Sequence, residues 1–394
     1  SRFCFSRQNV SDLHLFYCLA KFTYFTIKKN SPIMNDSLVI TNLKYVFFGI
    51  ILCFSMSSCT ELQENLKSVP TAFGKIGSVT VIADQQLWDS EVGDTLRYYY
   101  ESAYLILPQP EAIFDLTHYT VEEIMKEPTR KEMRNYVILA NLADENSPTT
   151  RLVMEDIGTE KARRAKEDPT YNSMVGRNKW ARGQVLIYQF AYSDDALIEN
   201  IKRNFSAVAK KVYEIEEERI DATLFVDGEN RKLMEEIQAD MGVQMRVPKS
   251  YFMALNDDEI IWIRKETQKY SSNIMLKKMP YTDQSQLTRE HIKAVTDSLG
   301  KYVSSQIPNT YVVVNDVDLP MFVDATTINN NYALEARGIW EMENDFMGGP
   351  FISYLIHNPE KNELLLAEGF VYAPGEEKRN YMRYLEYLIS TIRF

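Results

Sequence analysis

Cysteine is missing from everything after Cys59: the four in the chain are Cys4, Cys18, Cys53 and Cys59. The body beyond that point can hold no disulfide, no cysteine nucleophile and no thiolate metal site. Histidine is nearly as scarce there. His118, His291 and His357 are scattered, and none has a partner nearby in sequence, so a structural or solvent role fits each better than catalysis. His-Glu-Xaa-Xaa-His, Gly-Xaa-Ser-Xaa-Gly and phosphate-binding glycine loops do not occur. Ser298-Leu299-Gly300-Lys301 fits a bare Ser-Xaa-Xaa-Lys pattern without its companion motifs, and Asp316 with Asp318 are too few carboxylates for a calcium loop. No cofactor or metal is expected.

A long apolar run is missing too. Tyr45 to Met56 is apolar for only twelve residues, whereas a spanning helix needs about 20. Lys44 precedes this run, and Ser57, Ser58 and Cys59 follow it. A positive flank, a short apolar core and small residues are the parts of a secretory signal. The cysteine placed directly after them makes Met56-Ser57-Ser58-Cys59 resemble a bacterial lipobox, in which the thiol is acylated and the chain is cut before it. Two or three acyl chains hold a protein on its membrane where one binds only marginally. The expectation is an exported protein, lipid-anchored through Cys59 in the cell envelope, in the outer membrane.

Met34 is the first methionine. Residues 1–33 are read as translated upstream sequence or a misplaced gene start, 34–58 as the signal and 59–75 as a polar tether. Residues 1–58 carry six Lys/Arg and two Asp/Glu, which leaves 38 basic against 53 acidic residues after cleavage, a net charge of −15. That field repels nucleic acid and anionic surfaces. The expected partners are the membrane, through Cys59, and either an envelope protein or a small anionic ligand, with no nucleic acid.

Periodicity places strands at Gly77–Ala83, Ile113–Tyr119, Tyr136–Leu142 and Trp180–Tyr192, and a helix over Gln85–Leu107 that Pro108-Gln109-Pro110 stops. Asp144–Asn178 reads as polar loop with a short helix around Glu160–Lys166. Ser193 is a good N-cap for the clearest amphipathic helix, carrying Leu197, Ile201, Phe205, Val208, Val212 and Ile215. A charged helix over Glu229–Met241 ends at Gly242. Strands then follow at Gln244–Leu255, Glu259–Glu266 and Ile274–Met279. A helix over Thr288–Val303 shows Ile292, Val295, Leu299 and Tyr302 on one face. Further strands lie at Thr310–Val314 and around Tyr332–Met342. Phe351–His357 and Glu363–Tyr372 make a hairpin, and a last helix presents Tyr381, Leu385, Leu388 and Ile392. Strands following strands argue for an α+β fold, with mainly antiparallel sheets and packed amphipathic helices, rather than a doubly wound parallel sheet. Two units, 76–225 and 243–394, are expected. Ala191-Tyr192 and Tyr372-Ala373, each before a long helix, raise the idea of duplication.

Tyr281-Thr282-Asp283, Glu335 to Trp340, Asp345 to Phe351, and Gly369 to Pro374 followed by Lys378-Arg379-Asn380 resemble a Bacteroidota lipoprotein family known only as domain of unknown function 4837. Leu107 to Glu111, Arg134-Asn135 and Trp180 to Gln184 fit as well, so the resemblance extends over nearly all of Gly77–Arg393. It implies an envelope location and fold relatives, but no activity and no catalytic residue.

Two classes of function remain. One is a non-catalytic envelope lipoprotein that binds a partner or ligand. The other is a hydrolase of envelope glycan or peptide, which needs only two placed carboxyl groups. The missing nucleophile motifs favour the first. As a ligand patch the sequence offers Arg337, Trp340, Gly348, Gly349, Lys378 and Arg379. Backbone N–H groups at the start of the last helix attract anions, Arg337 can add a fork, Trp340 a flat face, and the Met347 to Pro350 turn a backbone rim. Glu376 and Glu377 argue against it, because they can satisfy that helix start themselves. The plainer alternative pairs Arg337 internally and packs Trp340 in the core.

Overall fold

The computed structural model describes residues 69–257 and 259–394, and Val69–Phe394 make one compact unit. The signal and Cys59 lie outside the described residues. Among those described, no helix is long and apolar enough to cross a membrane.

The first half builds a five-stranded sheet in the order β2-β1-β3-β5-β4, from β1 (Ser78–Ile82), β2 (Asp115–Tyr119), β3 (Asn135–Asn141), β4 (Ser173–Arg177) and β5 (Val185–Ala191). The first four in that order run parallel, and only β4 is antiparallel, to β5. Strands β3 and β5 are buried at nearly every position, the pattern of a sheet covered on both faces. On one face α2 (Glu91–Tyr100) and the 31-residue α5 (Asp194–Leu224) pack over Val79, Val81, Val137 and Ile187. On the other, α3 (Val121–Lys126) and α4 (Pro148–Glu167) cover Ile82, Tyr136, Ile138 and Leu186. The short α1 (Gln85–Trp88) stands apart from α2, because Ser90 caps a fresh start, accepting from Val92 N.

The second half forms an eight-stranded, wholly antiparallel sheet. Its path is β10-β11-β12-β13-β8-β7-β6, with β9 added alongside β11. The strands are β6 (Phe252–Asn256), β7 (Ile260–Glu266), β8 (Ser271–Pro280), β9 (Tyr311–Asn315), β10 (Phe322–Ile328), β11 (Asn331–Glu343), β12 (Gly348–Asn358) and β13 (Glu363–Tyr372). Helices α6 (Arg231–Met241) and α8 (Arg379–Ser390) cover one face, and α7 (Arg289–Gly300) the other. Gly242 ends α6 in the left-handed conformation at φ 70°, as a C-terminal glycine does.

The α+β class and the antiparallel-rich sheets are as expected, but the first sheet is mainly parallel. With one sheet parallel and the other antiparallel, duplication of a single unit is not established. Four local expectations change. Asp144–Asn178 holds a full helix, broken at Gly158, and strand β4; Ser147 caps that helix, accepting from Thr150 N at 2.9 Å, and Pro148 opens it. Of Gln244–Leu255, only the end is strand. Tyr302 lies past α7 and is exposed. Residues 70–73, read as tether, are laced to the body through Arg182 and Glu132.

Helix α8 joins the two halves. Its apolar face (Met382, Leu385, Leu388, Ile389) lies on the antiparallel sheet. Arg379 and Arg383, one turn apart, reach the parallel sheet instead. Arg379 forks onto Asp115 at 2.7 and 3.1 Å and donates to Ala112 O. Arg383 meets the fully buried Glu216 of α5, whose other oxygen accepts from Gly77 N (2.8 Å) and Asn135 Nδ2 (3.2 Å).

Candidate functional site

Each residue of the patch expected from the sequence is satisfied internally. Arg337 donates to Glu335, Glu386 and the Tyr104 hydroxyl. These carboxylates hold its pKa well above the usual value despite burial. Trp340 is 3% exposed, donating to Val371 O. The N–H groups of Lys378 and Arg379 both donate to the Glu111 carboxylate, at 2.6 and 2.8 Å, so the start of α8 already holds an anion from its own chain. Glu376 and Glu377 do not fill that role. Both basic side chains are buried. The six residues therefore form no open patch.

Gly348 and Gly349 correct the expected turn. They sit inside β12, opposite Glu341 and Trp340. The chain reverses one step earlier, where Asn344 adopts φ 62° and Met342 N donates to Met347 O at 2.8 Å. Gly349 is there for close packing: a Cβ would lie 2.0 Å from Val371 O and 3.0 Å from Trp340 Nε1. Gly349→Ala is expected to destabilise the protein by about 1–3 kcal/mol through overpacking. Urea denaturation would show this as a lower midpoint; an unchanged midpoint would mean that the strand yields freely.

The start of α4 is also filled. Asp84, just past β1, accepts from Ser147 Oγ, Thr149 N and Thr149 Oγ1 at the head of α4. The head of α4 is thus occupied at the carboxyl edge of the parallel sheet, where ligands of open α/β sheets usually bind.

The opposite, amino-terminal edge is open. Ser78 and Thr80 point away from the face that Val79 and Val81 bury, and Thr117 lies beside Thr80 in the ladder. Helix α3 has six residues and covers Ile82 but not this end. A cleft of about 500 Å³ remains, floored by these hydroxyls and walled by Phe73, Gly74, Lys75, Tyr119, Met133 and Arg219. Helix length explains Arg219. A 31-residue helix runs about 46 Å, against about 23 Å for a seven-residue strand. The last turns of α5 therefore overhang the sheet, past Glu216 at its edge. Burial, and after it the nearby Arg219 cation, pull the Arg134 pKa below its usual value, against the pull of Glu216 and Glu218. Arg134 Nη2 reaches Ala72 O at 3.1 Å, but its Nε is buried with no acceptor, as is Arg219 Nη1. A buried, unpaired donor costs about 1–3 kcal/mol, and more when charged.

Sequence reasoning passed over this cleft. Arg219 stands in the exposed-looking run Glu216-Glu217-Glu218-Arg219, and Arg134 enters only as part of a family likeness. The available signal was Ser78 and Thr80, two polar residues alternating in an otherwise apolar strand.

Carboxylates suited to acid-base work do not converge here. Burial holds Glu368 up to about 8, with Asp297 adding to the rise, and burial with Glu214 raises Glu217. Neither lines the cleft. His118 stacks on Trp88 at 4.6 Å and bonds to Ala83 O; His357 packs against Tyr281. Among the described residues no three His, Cys, Asp or Glu could hold a metal ion together.

Residues 230–391 match the family model described as Domain of unknown function (DUF4837), and residues 72–224 match a second, Domain of unknown function (DUF8532). The family likeness read from the sequence over Gly77–Arg393 thus holds for the second half, while the first matches a different model. No curated protein matches. Among solved structures the chain is similar to the Ran-binding protein Mog1p of Saccharomyces cerevisiae, at 8% identity over 38% of this chain and 89% of that one, with a TM-score of 0.27. It is also similar to the human StarD13 lipid transfer and protein localization domain, at 11% identity over 41% and 95%, with a TM-score of 0.16. Scores this low carry no argument about fold or function.

Proposed function

We propose that this chain is a lipid-anchored protein of the cell envelope, held to its membrane through Cys59, which binds a ligand at the amino-terminal edge of its parallel sheet without transforming it. The observation that carries the binding role is the cleft itself. There the Ser78, Thr80 and Thr117 hydroxyls and the Lys75 and Arg219 side chains line open space, whereas the arginines and the tryptophan of the patch read from the sequence, and the starts of α4 and α8, are occupied by partners from the chain. The anchor rests on the lipobox-like sequence.

The two parts are tested separately. Replacing Cys59 by Ala should release the protein from the membrane fraction and abolish incorporation of labelled fatty acid; a wild type that is already soluble overturns the anchor. For the cleft, a panel of neutral, cationic and anionic small molecules is screened for its effect on the melting temperature of the mature protein. Thr117→Trp, at an exposed position of the floor, should remove any rise seen in the wild type. A rise that survives in Thr117→Trp moves the site elsewhere.

A further inference from the structure

We infer that the ligand of this cleft is a small oxyanion, a phosphate or carboxylate, bearing an apolar group. This inference rests on the reading that the cleft is a ligand site, and it goes on to name the ligand's chemistry. Lys75 and Arg219 line the cleft and Arg134 stands behind its Gly74 wall, so three basic residues gather at one end of the first sheet, in a chain whose acidic residues outnumber its basic ones. Among the described residues none of the three makes a salt bridge within 4.0 Å.

The nearby carboxylates do not supply the missing charge. Glu216 is taken up by Arg383, Gly77 and Asn135. Glu218 acts on Arg134 through space but forms no ion pair with it. Two like charges held together with a buried, unpaired nitrogen on each are costly. An oxyanion in the cleft offsets the local positive charge, since the Arg219 guanidinium, the Lys75 ammonium and the hydroxyls that line it match its oxygens. The Ser78, Thr80 and Thr117 hydroxyls can donate to the same group. The apolar part follows from the walls: Phe73 is 44% exposed, and Met133 and Tyr119 line the same cleft. Groups of this kind favour a ligand with an apolar body and a few fixed polar contacts.

The test is equilibrium binding of phenyl phosphate, benzoate, inorganic phosphate and benzyl alcohol to the mature protein by calorimetry. Phenyl phosphate or benzoate should bind, and more weakly as salt rises. Inorganic phosphate should bind less tightly, and benzyl alcohol least. Arg219→Gln should weaken the oxyanion about tenfold or more, with Arg219→Lys recovering part of the loss. Lys232→Gln, at an exposed lysine on α6, should bind as the wild type does. Because Arg219 makes no hydrogen bond or salt bridge among the described residues, its variants should melt with the wild type; a variant that fails to fold contradicts the unpaired state on which the inference stands. Benzyl alcohol binding as tightly as phenyl phosphate, and lost in Thr117→Trp, would overturn the oxyanion while leaving the binding site in place. Oxyanion binding unmoved by Arg219→Gln would overturn it as well, as would failure of all four probes. Binding unaffected by Thr117→Trp would overturn the site itself.

Discussion

Replacing Glu216 by alanine should cost about 3–5 kcal/mol of folding stability, because it strands the Arg383 guanidinium in the interior without a counter-charge. The Glu216 side chain has no exposed surface and that of Arg383 has 5%. The same carboxylate takes the Gly77 N–H and the Asn135 amide, two donors at the entrances of β1 and β3. Alanine leaves all three groups unpaired. Glu216→Gln should cost less, since an amide oxygen still accepts from Gly77 and Asn135. Pairing Glu216→Gln with Arg383→Met should recover much of the loss by removing the second charge as well. Urea denaturation of the wild type, Glu216→Gln, Arg383→Met and the double variant measures the cycle, with Glu216→Ala alongside. A loss below about 1 kcal/mol for Glu216→Ala would show that water reaches the pair and that the interior there is not dry.

The second large effect concerns pH. Glu368 lies on β13 beside Ser353 and Met275, with one carboxylate oxygen buried and without a partner, and the nearby Asp297 of α7 disfavours a second negative charge. Burial raises its pKa from 4.5 to about 8. The folded protein then holds a proton that the unfolded chain has already released at neutral pH. Its contribution is complete below pH 4.5, falls as pH rises through the interval, and levels off above about 8. Glu368→Gln cannot ionise and lacks this loss. Relative to the wild type it should therefore gain stability between pH 5 and pH 8, on the order of 2–4 kcal/mol. The difference between the two pH values is the readout, which removes the constant cost of burying an amide. A parallel pH dependence for both proteins would mean that Glu368 is ionised in the fold.

Local signals and long-range ones separate cleanly in this chain. Ser193 with two acids in the first turn announces α5, Gly242 its successor's end, and the Asn358 to Asn362 turn the hairpin. These depend on residues a few positions apart. Strand direction does not: β1, β3 and β5 are parallel because of helices placed between them, one of which, α4, begins at Ser147-Pro148 inside a segment too polar to draw attention. β10 escaped for a related reason, being exposed at most positions along the sheet edge. The charged groups were least legible. Arg379 pairs with Asp115 across 264 residues, and Glu111 reaches the head of α8 across 267. A charge at a helix start looks available until the partner brought by the fold is known. The cleft is the converse case, since Arg219 stands in a charged run and yet buries a nitrogen that has no partner among the described residues.

The placement of α8 also sets an order of events during synthesis. Arg383 follows Glu216 by 167 residues. Through that interval the parallel sheet has its strands and its long helix, but not the cations that neutralise Glu216 and Asp115. The first half emerges as an unfinished body whose edge near Gly77 can close only when the second half delivers its last helix.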